Sequence, residues 1–245
     1  MDNKLGLLLR VKSKIVKYYE NYINCNRDRI SAKCSVSILC FHDIIDNGGD
    51  EYSIALNEFS DILELISEQC ICLDDAISGR RSGVVVSFDD GYESVYQKVF
   101  PLFLKKNIPF IAYISTDFIG KSGYLTQNQI AEMAQFGDIC TIGSHMCSHN
   151  KTRYMADEDI LREWKLSRNI LKEITGKEIQ HAALPYGSVV SCSRKSIKLG
   201  LESGYKTIAT TIAIPYKGGS VVPRFVYQKT KEFSPVLPRK ENITR

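Results

Sequence analysis

Short, nearly continuous apolar runs alternate along the chain with longer segments in which apolar residues recur every three or four positions. The runs predict strands and the periodic segments predict helices. Strands are predicted at residues 35–41, 83–88, 110–114, 139–143, 181–184, 205–210 and 224–227, and helices at 57–69, 92–106, 126–136, 157–175 and 193–203. This alternation predicts β/α repeats around a parallel sheet, which is either open or closed into a barrel.

The sequence favours one domain of the α/β class. Its 245 residues contain no Pro/Gly/Ser-rich linker, low-complexity tract or internal repeat. Hydrophobic residues make up 44% and charged residues 24%, a composition that supports a substantial core. We therefore predict a catalytic domain over residues 34–230, preceded by a basic helical extension at residues 1–33 and followed by a polar tail at residues 231–245.

Positive charge is concentrated ahead of this domain. Residues 1–33 contain eight basic and three acidic side chains, against a net charge of +4 for the whole chain. The remainder is close to neutral, which argues against a nucleic-acid partner. Residues 4–24 have helical periodicity with lysines between the apolar positions. A helix there could bind an anionic membrane surface through residues 1–24, or it could pack on the domain with its lysines in water.

Cysteine usage and hydropathy bear on the cellular compartment. The eight cysteines form no C-x-x-C pair, so zinc-finger and thioredoxin-like sites are not expected. The sequence shows no secretory signal, and no apolar run reaches the length of about 18 residues that a membrane-spanning helix needs. We therefore expect a cytoplasmic protein with reduced thiols, peripheral at the inner membrane face if the N-terminal helix binds there.

Polar side chains with catalytic potential follow several of the predicted strands. In a parallel sheet or barrel, the carboxyl ends of the strands meet at the same edge, where active sites form. The positions just after predicted strands therefore predict one shared site. Its candidate residues are His42, Asp89, Asp90, His145, His149, Pro185 and Tyr186.

Asp90, His145 and His149 suit a divalent metal site. Two histidines four residues apart can meet one ion, and a carboxylate completes a set that leaves positions open for water and substrate. Such an ion would lower the pKa of water and polarise a carbonyl oxygen, which indicates hydrolysis. His42 could be a general acid, because imidazole exchanges protons near neutral pH. Taken singly, residues 89–91 could be a turn that caps a helix, and each histidine could be an ordinary polar loop residue.

Three motifs together resemble those of the polysaccharide deacetylase group, which is also called the NodB-homology or carbohydrate esterase family 4 group. Residues 87–91 (SFDDG) resemble its T-F-D-D-G motif, residues 144–149 (SHMCSH) its S-H-[ST]-x-x-H motif, and residues 184–187 (LPYG) its third motif. The resemblance covers roughly residues 35–228. It implies a distorted (β/α) barrel and metal-dependent de-N-acetylation of a sugar.

The resemblance also implies roles for the motif residues. Asp89 would be the catalytic base, and the three metal-site candidates would hold a divalent ion, which is zinc in most members. The third motif, with Pro185 and Tyr186, would contact the substrate. The Tyr186 backbone N–H would help to stabilise the oxyanion that forms when water attacks the acetamide carbonyl.

Two positions depart from the family pattern. The family has an arginine two residues before the motif proline, where this chain has Ala183, and Arg224 in the last predicted strand could replace it. The family's late Leu-x-His motif, the source of its general acid, is absent because no histidine follows His181. One branch instead has an early Tyr-His-x-[IV] pattern. Residues 41–44 (FHDI) resemble that pattern, so His42 is assigned as the acid.

These features predict a cytoplasmic metal-dependent hydrolase, most often using Zn²⁺, that removes an N-acetyl group from an amino sugar. The substrate would be a polysaccharide, or a glycolipid or nucleotide-sugar precursor in surface-polysaccharide assembly. Two alternatives remain open at this stage. One is a deformylase of a formamido sugar, and the other is a catalytically degenerate homologue that binds glycan.

Overall fold

The computed structural model of the chain describes residues 36–212 and 220–228. Three sequence predictions lie outside these residues: the helix at 4–24, the basic extension at 1–33 and the polar tail at 231–245. Among the described helices, none is long and apolar enough to cross a membrane.

A parallel sheet of eight strands forms the centre of the molecule. Along the chain, the described strands are β1 (Val36–Phe41), β2 (Ile44–Ile45), β3 (Ile54–Ala55), β4 (Gly83–Phe88), β5 (Phe110–Ile114), β6 (Cys140–Ser144), β7 (His181–Ala183), β8 (Thr207–Thr210), β9 (Val221–Pro223) and β10 (Phe225–Val226). The main sheet has the order β10-β1-β4-β5-β6-β7-β8-β9, and all its neighbouring strands are parallel. Strands β2 and β3 form a separate two-stranded pair.

The last strand segment brings the two edges of this sheet together. Strand β9 pairs with β8 at one edge, and β10 pairs with β1 at the other. Only Arg224 separates β9 from β10 in the chain. The sheet is therefore a nearly closed barrel, and the predicted distorted (β/α) barrel is confirmed.

Helices follow most strands, as the alternating pattern predicts. They are α1 (Leu56–Ile66), α2 (Leu73–Ser78), α3 (Phe100–Lys106), α4 (Gln127–Gln135), α5 (Asp157–Thr175) and α6 (Arg194–Glu202). Side-chain caps begin two of them: Thr126 forms a capping box with Gln129 at α4, and Ser193 forms one with Ser196 at α6. Helix α5 ends at Gly176, whose φ of 66° suits glycine.

Both faces of the central strands are buried, which explains their nearly continuous apolar sequences. Every residue of β4 and β5 is buried. Residues such as Val86 and Phe88 belong to the large apolar cluster that also includes helix residues, whereas Val85 and Ile111 belong to a second cluster that includes Leu73 of α2. The alternation of side chains along each strand divides the core into these two layers.

Three local features differ from the sequence prediction. The helix predicted at residues 92–106 contains a π-helical turn, Val95–Val99, before α3. In a regular α-helix, the backbone N–H of residue 101 would donate to a carbonyl oxygen one turn earlier. Pro101 has no N–H, which accounts for the altered hydrogen bonding in this turn. The strand predicted at residues 224–227 corresponds to β10, and the preceding strand β9 was not predicted. Strands β2 and β3 and the short helix α2 were not predicted, because two to six residues are too few to show a period.

Candidate active site

The end of β4 directs two adjacent carboxylates to different partners. Asp89 continues the strand, and its N–H donates to the Phe41 carbonyl oxygen at 3.0 Å. Asp90 then has a φ of 69° and Gly91 a φ of 85°. This left-handed pair turns the chain sharply, and a β-carbon at Gly91 would lie 3.1 Å from Ile114. The two carboxylates therefore diverge, although they are neighbours in the sequence.

Asp89 is clamped by Arg224, and both side chains are buried. The Arg224 Nη1 donates to Asp89 Oδ1 at 2.5 Å and Nη2 donates to Oδ2 at 2.8 Å. Burial alone would raise the pKa of Asp89, but the Arg224 charge outweighs it and holds the pKa well below its usual range. Asp89 is therefore an ionised carboxylate. The guanidinium also lies over the Tyr113 ring, 5.1 Å from its centroid.

Asp90, His145 and His149 converge with geometry that fits a bound cation. Asp90 Oδ1 lies 3.4 Å from His145 Nε2 and 3.0 Å from His149 Nε2. One potential ligand atom from each residue lies within 4.8 Å of the other two. Asp90 Oδ1 is buried and receives no hydrogen bond of suitable geometry from the described residues. A divalent ion would satisfy this oxygen and explain why three ligand atoms point at one place.

The two histidines of this set differ in their environments. His145 Nδ1 lies 2.9 Å from the Ala183 carbonyl oxygen, so Nδ1 carries the proton and the Nε2 lone pair faces Asp90. Burial lowers the pKa of His145 to about 4, which keeps the imidazole neutral as a metal ligand requires. Burial also lowers the pKa of His149, but the Asp90 carboxylate beside it reverses this effect and raises the pKa overall.

Helix α5 holds the loop that carries both histidines. The buried Glu163 carboxylate accepts hydrogen bonds from the backbone N–H groups of Cys147 and Ser148, at 3.3 and 3.2 Å, and from the Ser148 hydroxyl at 2.5 Å. One turn later, Ser167 Oγ lies 2.6 Å from Ser144 Oγ. Sequence reasoning missed Glu163. The sequence feature that could have identified Glu163 is its place beside Trp164, on the buried stripe of an amphipathic helix.

The structure brings His42 into the same site. Its imidazole, the Cys40 thiol and the Asp89 carboxylate offer ligand-type atoms within 4.8 Å of one another. The His42 ring is half-buried and lies 5.2 Å from the Tyr52 ring, and Nδ1 has no hydrogen-bond partner among the described residues. The His42 imidazole therefore lies beside Asp89, and its buried Nδ1 is not satisfied by any described residue.

Tyr186 lies at the mouth of the site. Its side chain is 49% exposed, and its ring lies 4.8 Å from the His149 ring and 5.1 Å from Lys151 Nζ. A tight turn positions it, in which the Gly187 N–H donates to the Pro185 carbonyl oxygen at 2.7 Å and Tyr186 has a φ of 62°. The third motif therefore lies where a bound sugar could contact it.

His181 lies away from these residues, at the start of β7. It is buried, its Nδ1 lies 2.9 Å from Thr207 Oγ1, and its Nε2 lies 3.6 Å from Asp74. These contacts are structural, as its position ahead of a strand predicts.

Comparison with known proteins agrees with this geometry. The family model for polysaccharide deacetylase matches residues 77–208, which include Asp89, Asp90, both loop histidines and the third motif. The match does not extend to His42 or Arg224.

Two curated relatives illustrate the sequence similarity. The Bacillus subtilis protein YxkH is 26% identical over 128 residues, which are 52% of this chain and 44% of that protein. The Staphylococcus epidermidis poly-β-1,6-N-acetyl-D-glucosamine N-deacetylase is 23% identical over 198 residues, which are 71% of this chain and 68% of that enzyme. This chain thus spans less than half the length of the first relative and about two thirds of the second.

Two solved structures share the fold. IcaB from Ammonifex degensii superposes with a TM-score of 0.67 at 23% identity, over 78% of this chain and 91% of that one. A de-N-acetylase from Aggregatibacter actinomycetemcomitans superposes with a TM-score of 0.67 at 18% identity, over 81% and 97% of the two chains.

Proposed function

The chain belongs to the polysaccharide deacetylase family, and on that premise we propose that it is a metal-dependent hydrolase that removes the N-acetyl group from an amino sugar. The observation that supports this function is the convergence of Asp90, His145 and His149 on one point, next to an ionised Asp89. The substrate is a polysaccharide or a glycolipid or nucleotide-sugar precursor.

In this proposal Asp90, His145 and His149 hold the divalent ion, which we take to be Zn²⁺. The ion would supply a water of lowered pKa and would polarise the acetamide carbonyl. Asp89 accepts the proton of the attacking water. Arg224 holds Asp89 ionised, so this carboxylate is a weak base. A weak base is suited to accept a proton from a water molecule whose pKa the bound ion would already have lowered.

The remaining site residues act on the substrate. The Tyr186 backbone N–H, fixed by the turn at Pro185, donates to the oxyanion of the tetrahedral intermediate. His42 donates a proton to the departing amine of the sugar, which turns a poor leaving group into a good one. Its place beside Asp89 supports this role, since base and acid must act on the same carbon centre from within hydrogen-bonding reach.

The cellular setting is part of this proposal. We infer that the protein acts in the cytoplasm, peripheral to the inner membrane face through the basic residues 1–24, on an N-acetylated sugar and without a nucleic-acid partner. Deleting residues 1–24 should weaken binding to anionic vesicles, and unchanged binding would remove the membrane from this proposal.

Metal content and acetate release test the enzymatic proposal together. Purified protein is analysed for bound zinc, manganese, iron, cobalt and nickel, and is then incubated with N-acetylglucosamine oligomers and lipid-linked sugars. We expect stoichiometric metal and acetate release that His42→Ala abolishes. Release of formate from formamido sugars, with no acetate release, would instead establish a deformylase. Glycan binding without metal or turnover would establish a non-catalytic homologue.

A further inference from the structure

A second set of side chains that can bind a metal ion lies beside the first. The Cys40 thiol, the His42 imidazole and the Asp89 carboxylate each offer one ligand atom, and these atoms lie within 4.8 Å of one another. Cys40 is in β1, His42 follows that strand, and Asp89 follows the neighbouring strand β4. The register of these two parallel strands therefore brings together three residue types that bind metal ions in proteins.

The three side chains of this set have coordination capacity that their present contacts do not use. His42 Nδ1 is buried and has no hydrogen-bond partner in the part of the chain that the structure describes. The Cys40 thiol donates to the Phe41 carbonyl oxygen over a long distance of 3.8 Å. Each Asp89 oxygen accepts one hydrogen bond from Arg224 and keeps a further lone pair. An ion can therefore bind to all three without separating Asp89 from Arg224.

The two sets differ in the ions that they favour. Asp90, His145 and His149 supply oxygen and nitrogen, whereas the second set adds sulfur. Thiolate ligands select soft or borderline ions such as Zn²⁺, and Mn²⁺ and Mg²⁺ prefer oxygen ligands. Burial raises the pKa of the Cys40 thiol, so the sulfur carries a proton in the metal-free protein. When an ion binds, the S–H bond breaks, an S–metal bond forms and the proton passes to the solvent.

The Arg224 guanidinium lies next to this set, but its charge does not exclude a cation. The guanidinium is already paired with the Asp89 carboxylate through hydrogen bonds of 2.5 and 2.8 Å. A Cys40 thiolate adds a second negative charge, so two negative groups stand against one positive group. A divalent ion therefore meets a set whose net charge is negative.

We propose that Cys40, His42 and Asp89 form a second, inhibitory site for a soft divalent ion such as Zn²⁺. An ion bound there occupies the carboxylate and the imidazole that the proposed function uses as base and acid. Asp89 Oδ2 lies 3.6 Å from His145 Nε2, so the two sites are contiguous and can be filled together. Excess zinc then stops turnover while the first ion stays in place. The inhibitory effect rests on the proposed function, whereas binding of the second ion does not.

A cobalt titration tests the second site without turnover. Metal-free protein is titrated with Co²⁺, and the near-ultraviolet charge-transfer band from sulfur to cobalt reports a bound thiolate. We expect this band in the wild-type protein when the second ion binds. Cys40→Ser should still bind the first ion and should lack the band. Cys140→Ser is the matched control and should keep it, because Cys140 is a buried strand cysteine that belongs to neither set.

Inhibition by excess metal tests the consequence for turnover. Each protein is loaded with one equivalent of Zn²⁺ and assayed with increasing excess Zn²⁺ or Mn²⁺. Turnover is expressed relative to the same protein without excess metal, so a change in basal turnover does not affect the comparison. The Zn²⁺ concentration that halves turnover should be higher in Cys40→Ser than in the wild type and Cys140→Ser, by about tenfold or more. Even residues that only orient a ligand contribute about 10–100-fold to metal affinity. Excess Mn²⁺ should not inhibit.

The outcomes separate this inference from the proposed function. Absence of the band from the wild type, its persistence in Cys40→Ser, or equal zinc inhibition of these two proteins overturns the second site and leaves the deacetylase intact. Cys40→Ala repeats both measurements, and melting temperatures establish that each variant is folded. If no N-acetylated sugar is cleaved at any metal loading, the proposed function fails, and the cobalt band alone then decides whether the second site exists.

Discussion

At the level of single residues, two neighbouring carboxylates of the site have different partners. Asp89 receives two hydrogen bonds from Arg224, whereas Asp90 Oδ1 faces two imidazole nitrogens. The positive φ of Asp90 produces this divergence. A carboxylate that accepts one hydrogen bond from a guanidinium at each oxygen is held in place and keeps further lone pairs for a proton. A carboxylate with a buried oxygen that lacks a donor is ready for a cation.

The first prediction concerns Asp89→Asn. Turnover should fall by about 10²–10⁴-fold, because the variant lacks the carboxylate that accepts the proton. Bound metal should stay stoichiometric, since Asp89 is not one of the three converging ligands. Acetate release and elemental analysis measure both quantities. Asp61→Asn, at an exposed position of α1, is the control. Turnover near the wild-type level with full metal would exclude Asp89 as the base.

The second prediction concerns Arg224→Met. The variant leaves the Asp89 charge buried without its partner, so the free energy of unfolding should fall by about 3–5 kcal/mol. Without the guanidinium, the pKa of Asp89 should rise, and the acid limb of the pH–rate profile should move to higher pH. Denaturant unfolding and the profile measure these effects.

Arg224→Lys provides the comparison for that variant. It keeps the positive charge but cannot form the paired hydrogen bonds, so its acid limb should lie between those of the wild type and Arg224→Met. Identical acid limbs in all three proteins would show that Arg224 supports the fold without tuning Asp89.

At the level of elements, continuous apolar runs made the central strands predictable, and the residues just after them made most of the site predictable. The end of β4 gives Asp89 and Asp90, and the end of β6 gives His145. A local sequence pattern is enough to predict these residues. The family match covers the same stretch.

The remaining features depend on contacts between distant segments, which a local pattern does not contain. Arg224 was proposed only through the family resemblance, because it lies 135 positions from Asp89 and the pairing of β10 with β1 brings the two together. In the sequence, Glu163 is one of several acidic residues in a charged helix. Only the structure shows its three hydrogen bonds to the loop that carries the two histidines.

The third prediction concerns the contact between α5 and the histidine loop. Glu163→Ala should weaken metal binding by about 10–100-fold, because residues that orient the ligands typically contribute this much. The loop also holds Met146 and His149 at positive φ, which requires support from its surroundings. Metal affinity is measured by competition with a chelator, with Glu173→Ala, at an exposed position of the same helix, as the control.

A purely structural role for Glu163 would give a different result. The melting temperature would then fall equally with and without metal, while the metal affinity of the folded variant stayed the same. A positioning role predicts that the increase in melting temperature on adding metal is smaller than in the wild type. Partial recovery of affinity in Glu163→Gln, which keeps one acceptor oxygen, would support positioning.

At the level of the whole molecule, the segment that closes the barrel also completes the candidate site. The segment from β9 to β10 joins both edges of the sheet, and Arg224 at its midpoint reaches Asp89 across the barrel end. The candidate catalytic and metal-binding residues follow three strands, β1, β4 and β6, and Arg224 joins two others. The sequence pattern alone predicted a parallel sheet that was open or closed. The closed form was implied by the resemblance and is confirmed by the strand pairing.

The fourth prediction is a pH dependence of the stability of the metal-free protein. Burial lowers the pKa of His145 in the folded state to about 4, whereas the unfolded histidine titrates near its usual pKa of about 6.5. Above that higher pKa the imidazole is neutral in both states and contributes nothing. As the pH falls from about 6.5 to about 4, only the unfolded state takes up this proton, so the free energy of unfolding decreases. The loss attributable to His145 is about 3 kcal/mol across this window, because each pKa unit corresponds to about 1.4 kcal/mol.

Comparison with His145→Asn isolates this effect from the other histidines. The pKa of His181 is also lowered by burial, whereas that of His149 is raised overall, so their contributions have opposite signs. Asparagine can still donate to the Ala183 carbonyl oxygen but does not titrate, so the variant should lose less stability on acidification. Adding metal should steepen the wild-type dependence, because protons then compete with the ion for His145, and should leave the variant's dependence nearly unchanged. Parallel stability curves for the two proteins would show that His145 is not held neutral by burial, and would remove the basis for its role as a preformed ligand.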